Sequence, residues 1–404
     1  MSHDVDVCIV GAGPAGMVLG LLLARRGVRT LVLEQHSDFE REYRGEVLMP
    51  RFTQMMRQIC LDELIESEHH LKLEELEGFF ENQLILKIGF KEISPEIPCA
   101  LWMPQPILLN ALYKEAKNFS SFDLWFNASV HDLNFNQSQC VGVQVKRSNE
   151  EIEVKAKVTV GTDGRFSVVR REGGFKLGFE SHRFDLIWFT IPKPAGYDNR
   201  VRFFLSRNRN YLILPKYPNH IQCGLVVEPG EFLKLHKNGI ESLKNILRNS
   251  HPAIRAFTDR VHDFKPFNLL QAKIEMVKEW ARDGVVLIGD SAHTCSPAGA
   301  IGVSVAVESA IAGAQVIWDA IQKKDVSKES LSRLQKLREE DVREIQVLQN
   351  RFSGVLFPRS AIMKWLLPFI LPLFAKFGLF RMLQRKLFVL KRPISIDPAF
   401  FAKE

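Results

Sequence analysis

Residues Val5–Gly16, VDVCIVGAGPAG, and the shorter stretch Val28–Gln35, VRTLVLEQ, decide the fold. Val5–Val10 is an apolar run of strand length. It ends in Gly11, Ala12, Gly13, Pro14, Ala15 and Gly16, which together spell G-x-G-x-x-G. Met17–Arg26 then reads as an apolar helix stopped by Gly27, and Thr30–Leu33 as a second strand closed by Glu34 and Gln35. Each part has a physical task. Gly11 permits a tight turn, Gly13 lets a pyrophosphate approach the backbone, and Gly16 lets helix and strand pack closely. The helix start offers free N–H groups and the positive end of its dipole to phosphate. Glu34 can accept hydrogen bonds from the ribose hydroxyls of an adenosine. Strand, turn, helix, second strand and terminal acid in register predict a dinucleotide site in a Rossmann-type unit. The pattern does not separate FAD from NAD.

A second stretch, Val286–Ala310, reads VLIGDSAHTCSPAGAIGVSVAVESA. An apolar strand, Val285–Ile288, ends on Gly289 and one acid, Asp290. A turn holding Pro297, Gly299 and Gly302 follows, and then a helix whose only charge is Glu308. An unpaired carboxylate at a buried strand end is costly, so Asp290 should have a hydrogen-bonding partner.

The chain has 404 residues, 46% hydrophobic and 25% charged, which suits a globular protein of one large or two smaller domains. The six cysteines form no C-x-x-C pair, so neither zinc nor a disulfide framework is expected, and no metal site is assigned. The net charge of +7 is consistent with anionic ligands. No zinc-finger or RNP-like pattern supports nucleic acid as a partner. The N-terminus lacks the basic-then-apolar layout of a signal peptide, and the expected location is cytoplasmic.

Three stretches together resemble the class A flavoprotein monooxygenases, the group that includes p-hydroxybenzoate hydroxylase: the N-terminal fingerprint, VGTDGRFSVVR at Val160–Arg170, and Val286–Ala310. The resemblance implies an α/β fold. A Rossmann-type FAD-binding domain would carry an inserted, mostly antiparallel β-sheet substrate domain and C-terminal helices. The expected division is 1–180 for FAD binding, with part of the substrate region near 71–103. The substrate sheet would be 181–270, the completed FAD-binding domain 271–325, and a helical region 326–404. The resemblance further implies that Asp290 contacts an FAD ribitol hydroxyl. Gly289, Pro297, Gly299, Gly302, Val303 and Ser304 would lie along the isoalloxazine. Backbone N–H groups there would stabilise negative charge on reduced flavin. Arg44 in YRGEVLMPR, Gln105 in MPQPILLNAL, Val130, Asp163 and Gly164 are implied cofactor neighbours. Where many relatives carry Asn and Asp after the glycines, this chain has Ser304 and Ser309.

Between Arg183 and Glu228 the alternating runs RFDLIWFTIP, RVRFFLS, NYLILPKYP and HIQCGLVVE read as antiparallel strands. By the resemblance Tyr211 could face substrate, though a cross-strand aromatic is the plainer reading. His293 could be catalytic or could order its loop. Ser327–Phe352 reads as a helix that packs internally or forms a dimer surface. Ile362–Arg392 is apolar but broken by Pro368 and Pro372, and is too short between charges to span a bilayer. It would cap the substrate pocket or lie on a membrane surface.

The function implied is an FAD-dependent monooxygenase. NAD(P)H would bind transiently, since no second G-x-G-x-x-G is present, and O2 would react to a flavin C4a-hydroperoxide. The substrate would be a small aromatic, phenolic or lipophilic molecule. A flavin-dependent halogenase is the near rival, but its W-x-W-x-I-P signature is matched by IWFTIP with Ile187 and Phe189 at the tryptophan places. A flavoprotein that shelters an intermediate without oxidising it is a third reading.

Overall fold

Short β-α-β connections force parallel pairing, and the first sheet is built that way. A computed structural model describes residues 2–40, 46–206, 209–356 and 378–401, together with 360, 362, 363, 365, 366, 369, 370 and 373. Strand β1 (Ser2–Val10) leads through helix α1 (Pro14–Arg25) into β2 (Thr30–Leu33). The helix starts at Pro14, where the missing N–H costs nothing. It is buried along nearly its whole length, as its apolar sequence requires. The chain continues through β3 (Val47–Leu48), α2 (Pro50–Gln58) and α3 (Asp62–Glu66) to β4 (Leu71–Leu73), β5 (Glu75–Phe80) and β6 (Gln83–Gly89). Then come α4 (Phe90–Ile93), β7 (Ala100–Trp102), α5 (Gln105–Ala116) and β8 (Phe122–Trp125). A meander of β9 (Ala128–Asn136), β10 (Gln139–Arg147) and β11 (Glu150–Gly161) precedes α6 (Val168–Glu172).

The second sheet uses β12 (Leu177–Pro192), β13 (Val201–Leu205), β14 (Tyr211–Lys216), β15 (His220–Val227) and β16 (Asn268–Val277). Helices α7 (Glu231–Lys237), α8 (Ile240–Arg248) and α9 (Pro252–Thr258) fill the gap before β16. The chain returns to the first sheet with β17 (Ala281–Arg282) and β18 (Val285–Leu287), then makes β19 (His293–Thr294). It ends in α10 (Gly302–Lys323), α11 (Lys328–Leu331), α12 (Arg333–Leu356) and α13 (Leu379–Phe388).

The first sheet runs β17-β18-β11-β1-β2-β8, with β10 on β11 and β9 on β10. Its central pairs are parallel: Ile9 lies opposite Val160 on one side and Val32 on the other. The second sheet runs β19-β16-β12-β15-β14-β13-β5-β6, and β3-β7-β4 form a third. The inserted sheet overruns both expected boundaries, because β12 starts at Leu177 and β16 reaches Val277. Residues 181–270 are also not all sheet. Ile240, Leu243 and Leu247 recur at helical spacing and pack α8 against the sheet.

Strand periodicity gives this sheet two apolar faces. On β12, Phe184, Leu186 and Trp188 face a cavity, whereas Ile187, Phe189 and Ile191 join a second core under α7–α9. Burying each such large side chain is worth about 1.5–3 kcal/mol. α10 is long and apolar enough to cross a membrane by composition, but it is a core helix packed on α1 and α12. The buried Leu334, Val342 and Ile345 belong to α12, so this helix has an internal packing role.

Candidate functional site

A cavity of about 1170 Å³ lies between the two large sheets, bounded by Gly13 and Glu34 at one end and by Phe203 and Phe388 at the other. Small-molecule pockets measure about 300–1,000 Å³. This one has room for a dinucleotide and a second ligand.

At the first end, Gly11 has φ +104° and a Cβ there would sit 2.7 Å from the Thr162 carbonyl oxygen. At Gly16 a Cβ would come within 2.1 Å of the Gly11 oxygen. Gly13 is different: a Cβ there would meet nothing within 4 Å, and the residue borders the cavity. It is also the N-cap of α1 and caps it with no side chain, so the first-turn N–H groups stay available to a ligand. Pro14 and Ala15 line the same end. Glu34 is 2% exposed. Its Oε2 accepts from Ala12 N–H and its Oε1 from His36 N–H, each at 3.1 Å. The carboxylate therefore braces the glycine turn while bordering the cavity with Gln35. Val130 on β9 and Gln105 at the start of α5 also line it. Arg44 lies outside the described residues.

Asp163 binds its own neighbourhood. Its Oδ1 accepts from the hydroxyls of Ser167 (2.5 Å) and Ser291 (3.0 Å), and its Oδ2 from the N–H groups of Val168 (2.7 Å) and Val169 (3.1 Å). The Ser291 hydroxyl in turn accepts from Gly164 N–H at 3.0 Å. This cluster joins the turn after β11 to the turn after β18. Asp163→Ala is expected to cost at least about 2 kcal/mol by orphaning these donors, as read by urea unfolding. An unfolding midpoint equal to wild type would contradict that account.

Asp290 is not unpartnered. Arg165 Nε lies 3.4 Å from its Oδ2, and Arg165 Nη1 donates to the Gln271 carbonyl at 2.6 Å. Arg165 thus ties the Asp290 turn to β16, leaving the carboxylate at the cavity edge. Gly289 takes φ +65°, and Gly299 and Ala300 take φ +87° and +50°, which form the turn before α10. Pro297, Gly299, Gly302 and Val303 line the cavity. Ser304 does not: its hydroxyl is buried without a partner, so only its backbone is left for a ligand.

Two expected functional side chains turn away. Tyr211 shares a strand face with Ile213, stacks on Phe204 at 4.7 Å and belongs to the core under α7–α9; Leu212 and Leu214 take the cavity side. Strand parity makes it a cross-strand aromatic, not a substrate contact, and burial pushes its hydroxyl up to about 12. His293 is fully buried, with Nε2 3.0 Å from the Ser309 hydroxyl. Burial, and secondarily the charge of Arg338, pull its pKa down to about 3, so it is a neutral residue that orders its loop.

At the far end the wall is apolar: Phe184, Leu186 and Trp188 on β12, Phe203 on β13, and Leu212 and Leu214 on β14. α13 closes it with Leu383, Gln384, Leu387 and Phe388, the last packed on Phe90 at 6.1 Å between ring centres. Reading the motifs did not single out Arg165, Glu46 or these lid positions, although Arg165 and Glu46 sit inside the quoted stretches. Glu46 is 9% exposed and lines the cavity. Burial pushes its carboxyl up to about 7, against the smaller opposing pull of Lys216. Among the described residues no cluster of three or more His, Cys, Asp or Glu is placed to hold a metal.

A profile of the family described as FAD binding domain matches residues 4–327. The chain belongs to that FAD-binding family. Among its relatives is 6-methylpretetramide 4-monooxygenase of Streptomyces rimosus, 29% identical over 375 residues that cover 89% of this chain and 88% of that protein. A second is the 1H-pyrrole-2-carbonyl-[peptidyl-carrier protein] chlorinase of Pseudomonas fluorescens, 26% identical over 82% of this chain and 79% of that one. The crystal structure of p-nitrophenol 4-monooxygenase PnpA from Pseudomonas putida shares the fold. It superposes with a TM-score of 0.76 or better, 0.79, over 96% of this chain and 97% of that one at 17% identity. The protein is a flavoprotein of the class A monooxygenase type, with FAD as cofactor. The cavity fits that group: Gly13 leaves a cradle that any Cβ would fill, α1 starts uncapped, and Glu34 is held at the adenosine distance along β2.

Proposed function

We propose that this flavoprotein hydroxylates an electron-rich aromatic or phenolic molecule, with NAD(P)H and O2 as co-substrates. The observation that carries the reading is one continuous cavity that runs from the dinucleotide turn to an apolar wall and lid. Bound FAD would supply the redox chemistry, passing electrons from NAD(P)H to O2 and one oxygen atom to the substrate. The protein's residues do the rest. The N–H groups at the start of α1 hold phosphate, and Glu34, Gln35, Val130 and Gln105 border the nucleotide. The turn from Pro297 to Val303 presents backbone at the start of α10, where negative charge is stabilised. Asp290 and Asp163 border the same cavity. The wall from Phe184 to Leu214 and the α13 lid exclude water from the reacting ring.

Halogenation is the second reading, supported by the chlorinase relative. The lipophilic character of the lid extends outward: Ile362, Trp365 and Phe369 are exposed, and contact with a membrane surface would use them. Flotation with anionic vesicles reads that contact. The test of the main reading is the visible spectrum of the purified protein, followed by anaerobic NADPH or NADH and then by phenols in air. The expected result is bound flavin that either nucleotide bleaches, with nucleotide consumption and a product heavier by one oxygen. A halogenated product, formed only with chloride or bromide, would replace hydroxylation with the second reading.

A further inference from the structure

The cavity's apolar half holds two polar side chains that the fold itself does not use. Glu46 precedes β3, and its backbone carbonyl accepts from Met103 N–H at 2.8 Å, so the residue is pinned to the strand β7 side of the cavity. Its side chain is not pinned: Oε2 is buried with no hydrogen-bond partner. Gln384 on α13 is 4% exposed, and its Oε1 is likewise buried without a partner. Both residues line the same cavity. A buried polar group without a partner costs stability, and two of them facing one apolar chamber mark where a ligand's polar atoms belong.

We infer that Glu46 is the catalytic base that accepts the proton of a phenolic or enolic hydroxyl on the substrate, with Gln384 bonding a second oxygen of the same molecule. This rests on the hydroxylase reading above and deepens it. The step is a proton transfer. The substrate O–H bond breaks, its electron pair stays on the oxygen as a phenolate, and a new O–H bond forms on the Glu46 carboxylate. The ring gains the electron density that oxygen transfer requires. The carboxyl's high pKa suits this task, because a base titrating near neutrality takes a proton readily and returns it readily. Lys216 on β14 is the charged group that acts on Glu46 among the described residues, and it favours the ionised form. The neighbouring Trp102, Met103 and Gln105 carry no charge.

The substrate class follows from the same chamber. Its wall is aromatic and aliphatic, so a fused-ring phenol or hydroxyquinone fits, and a sugar or free amino acid does not. Two hydrogen-bonding positions are matched, one an acid–base pair and one an amide.

The experiment uses the FAD-loaded protein with 2-naphthol and 1-hydroxyanthraquinone as probes, whose absorption changes when the hydroxyl ionises. In wild type the bound probe is expected to convert to its phenolate in a step near pH 7. In Glu46→Gln the probe binds within about threefold of the wild-type affinity, the step is absent, and kcat for the hydroxylated product falls ~100-fold or more. Glu46→Asp is expected to restore part of the step. Gln384→Leu weakens probe binding but keeps the step. Flavin content and the rate of bleaching by NADPH without probe serve as controls and should not change in any variant. An unchanged ionisation step in Glu46→Gln, with hydroxylation intact, would overturn the role of Glu46 while leaving the hydroxylase reading in place. So would a variant that shifts the flavin spectrum before any probe is added, since the carboxyl would then face the flavin. Wild type that bleaches with NADPH yet neither binds nor oxidises either phenol would overturn the hydroxylase reading, and this inference with it.

Discussion

Replacing Glu308 by alanine is expected to cost about 3–5 kcal/mol of folding stability. Glu308 is the one charge on α10 and is 0% exposed. Its Oε2 accepts from Arg51 Nη2 at 2.8 Å and from Arg338 Nη2 at 2.5 Å, and Arg51 Nε also bonds Oε1. Arg51 on α2 and Arg338 on α12 are each only 5% exposed. Removing the carboxylate leaves two guanidinium groups in a dry site with one counter-charge, Asp341, within reach of Arg338 at 2.9 Å. The expected penalty comes from those stranded cations rather than from the net worth of the triad. Replacing all three residues together by Met, Leu and Met should therefore recover most of the loss. Urea unfolding of the FAD-free protein reads both results. A single Glu308→Ala variant as stable as wild type would refute the account. The triad also explains the question the helix posed: the charge joins α10, which underlies the cofactor turn, to α2 and α12. Arg51 reaches further, to the Leu387 carbonyl at the end of the α13 lid.

That partnership was not readable from the sequence, and the reason is distance along the chain. Arg51 and Glu308 are 257 positions apart, and Arg165 and Asp290 are 125 apart. Local patterns say that a buried acid needs a partner, but not which cation the fold delivers. The glycine turn was legible because its constraint is local. Gly11, Gly13 and Gly16 act within one turn, and their spacing and chemistry specify each other. Asp163 was legible as a motif residue, yet its four hydrogen bonds to its own loop and to Ser291 show a bracing role that the motif did not express. Tyr211 failed on parity. Counting back from Pro215 placed it near the substrate, whereas the alternation of β14 gives the cavity to Leu212 and Leu214. The α7–α9 helices were missed because attention to the strand-rich runs on either side hid a short amphipathic repeat. The lid was half legible: its apolarity announced burial against something, and only the packing of Phe388 on Phe90 tells against what.

Gly13→Val is expected to abolish FAD binding while leaving the folded protein intact, and the contrast with Gly16→Ala makes the result specific. At Gly13 the backbone has φ −74° and ψ 179°, extended values that valine adopts without strain. No protein atom lies within 4 Å of the added Cβ, so the apoprotein should fold with an unchanged urea midpoint. The new methyl groups would occupy the space over the α1 N-terminus that a pyrophosphate must enter. A fall of at least ~100-fold in FAD affinity, about 2.7 kcal/mol, follows from losing close contact with those N–H groups. At Gly16 the first atom met is backbone, the Gly11 oxygen at 2.1 Å, so alanine must displace the turn itself. Gly16→Ala should lower both the unfolding midpoint and the FAD affinity. Titration of each apoprotein with FAD, followed by flavin fluorescence, separates the two cases. If Gly13→Val bound FAD like wild type, the phosphates would have to lie elsewhere, and Gly11 and Gly16 would be glycines only for packing. If it bound none and also failed to fold, the open space at Gly13 would be needed by the protein rather than by the ligand. Only loss of FAD with retention of the fold makes that space a cofactor site.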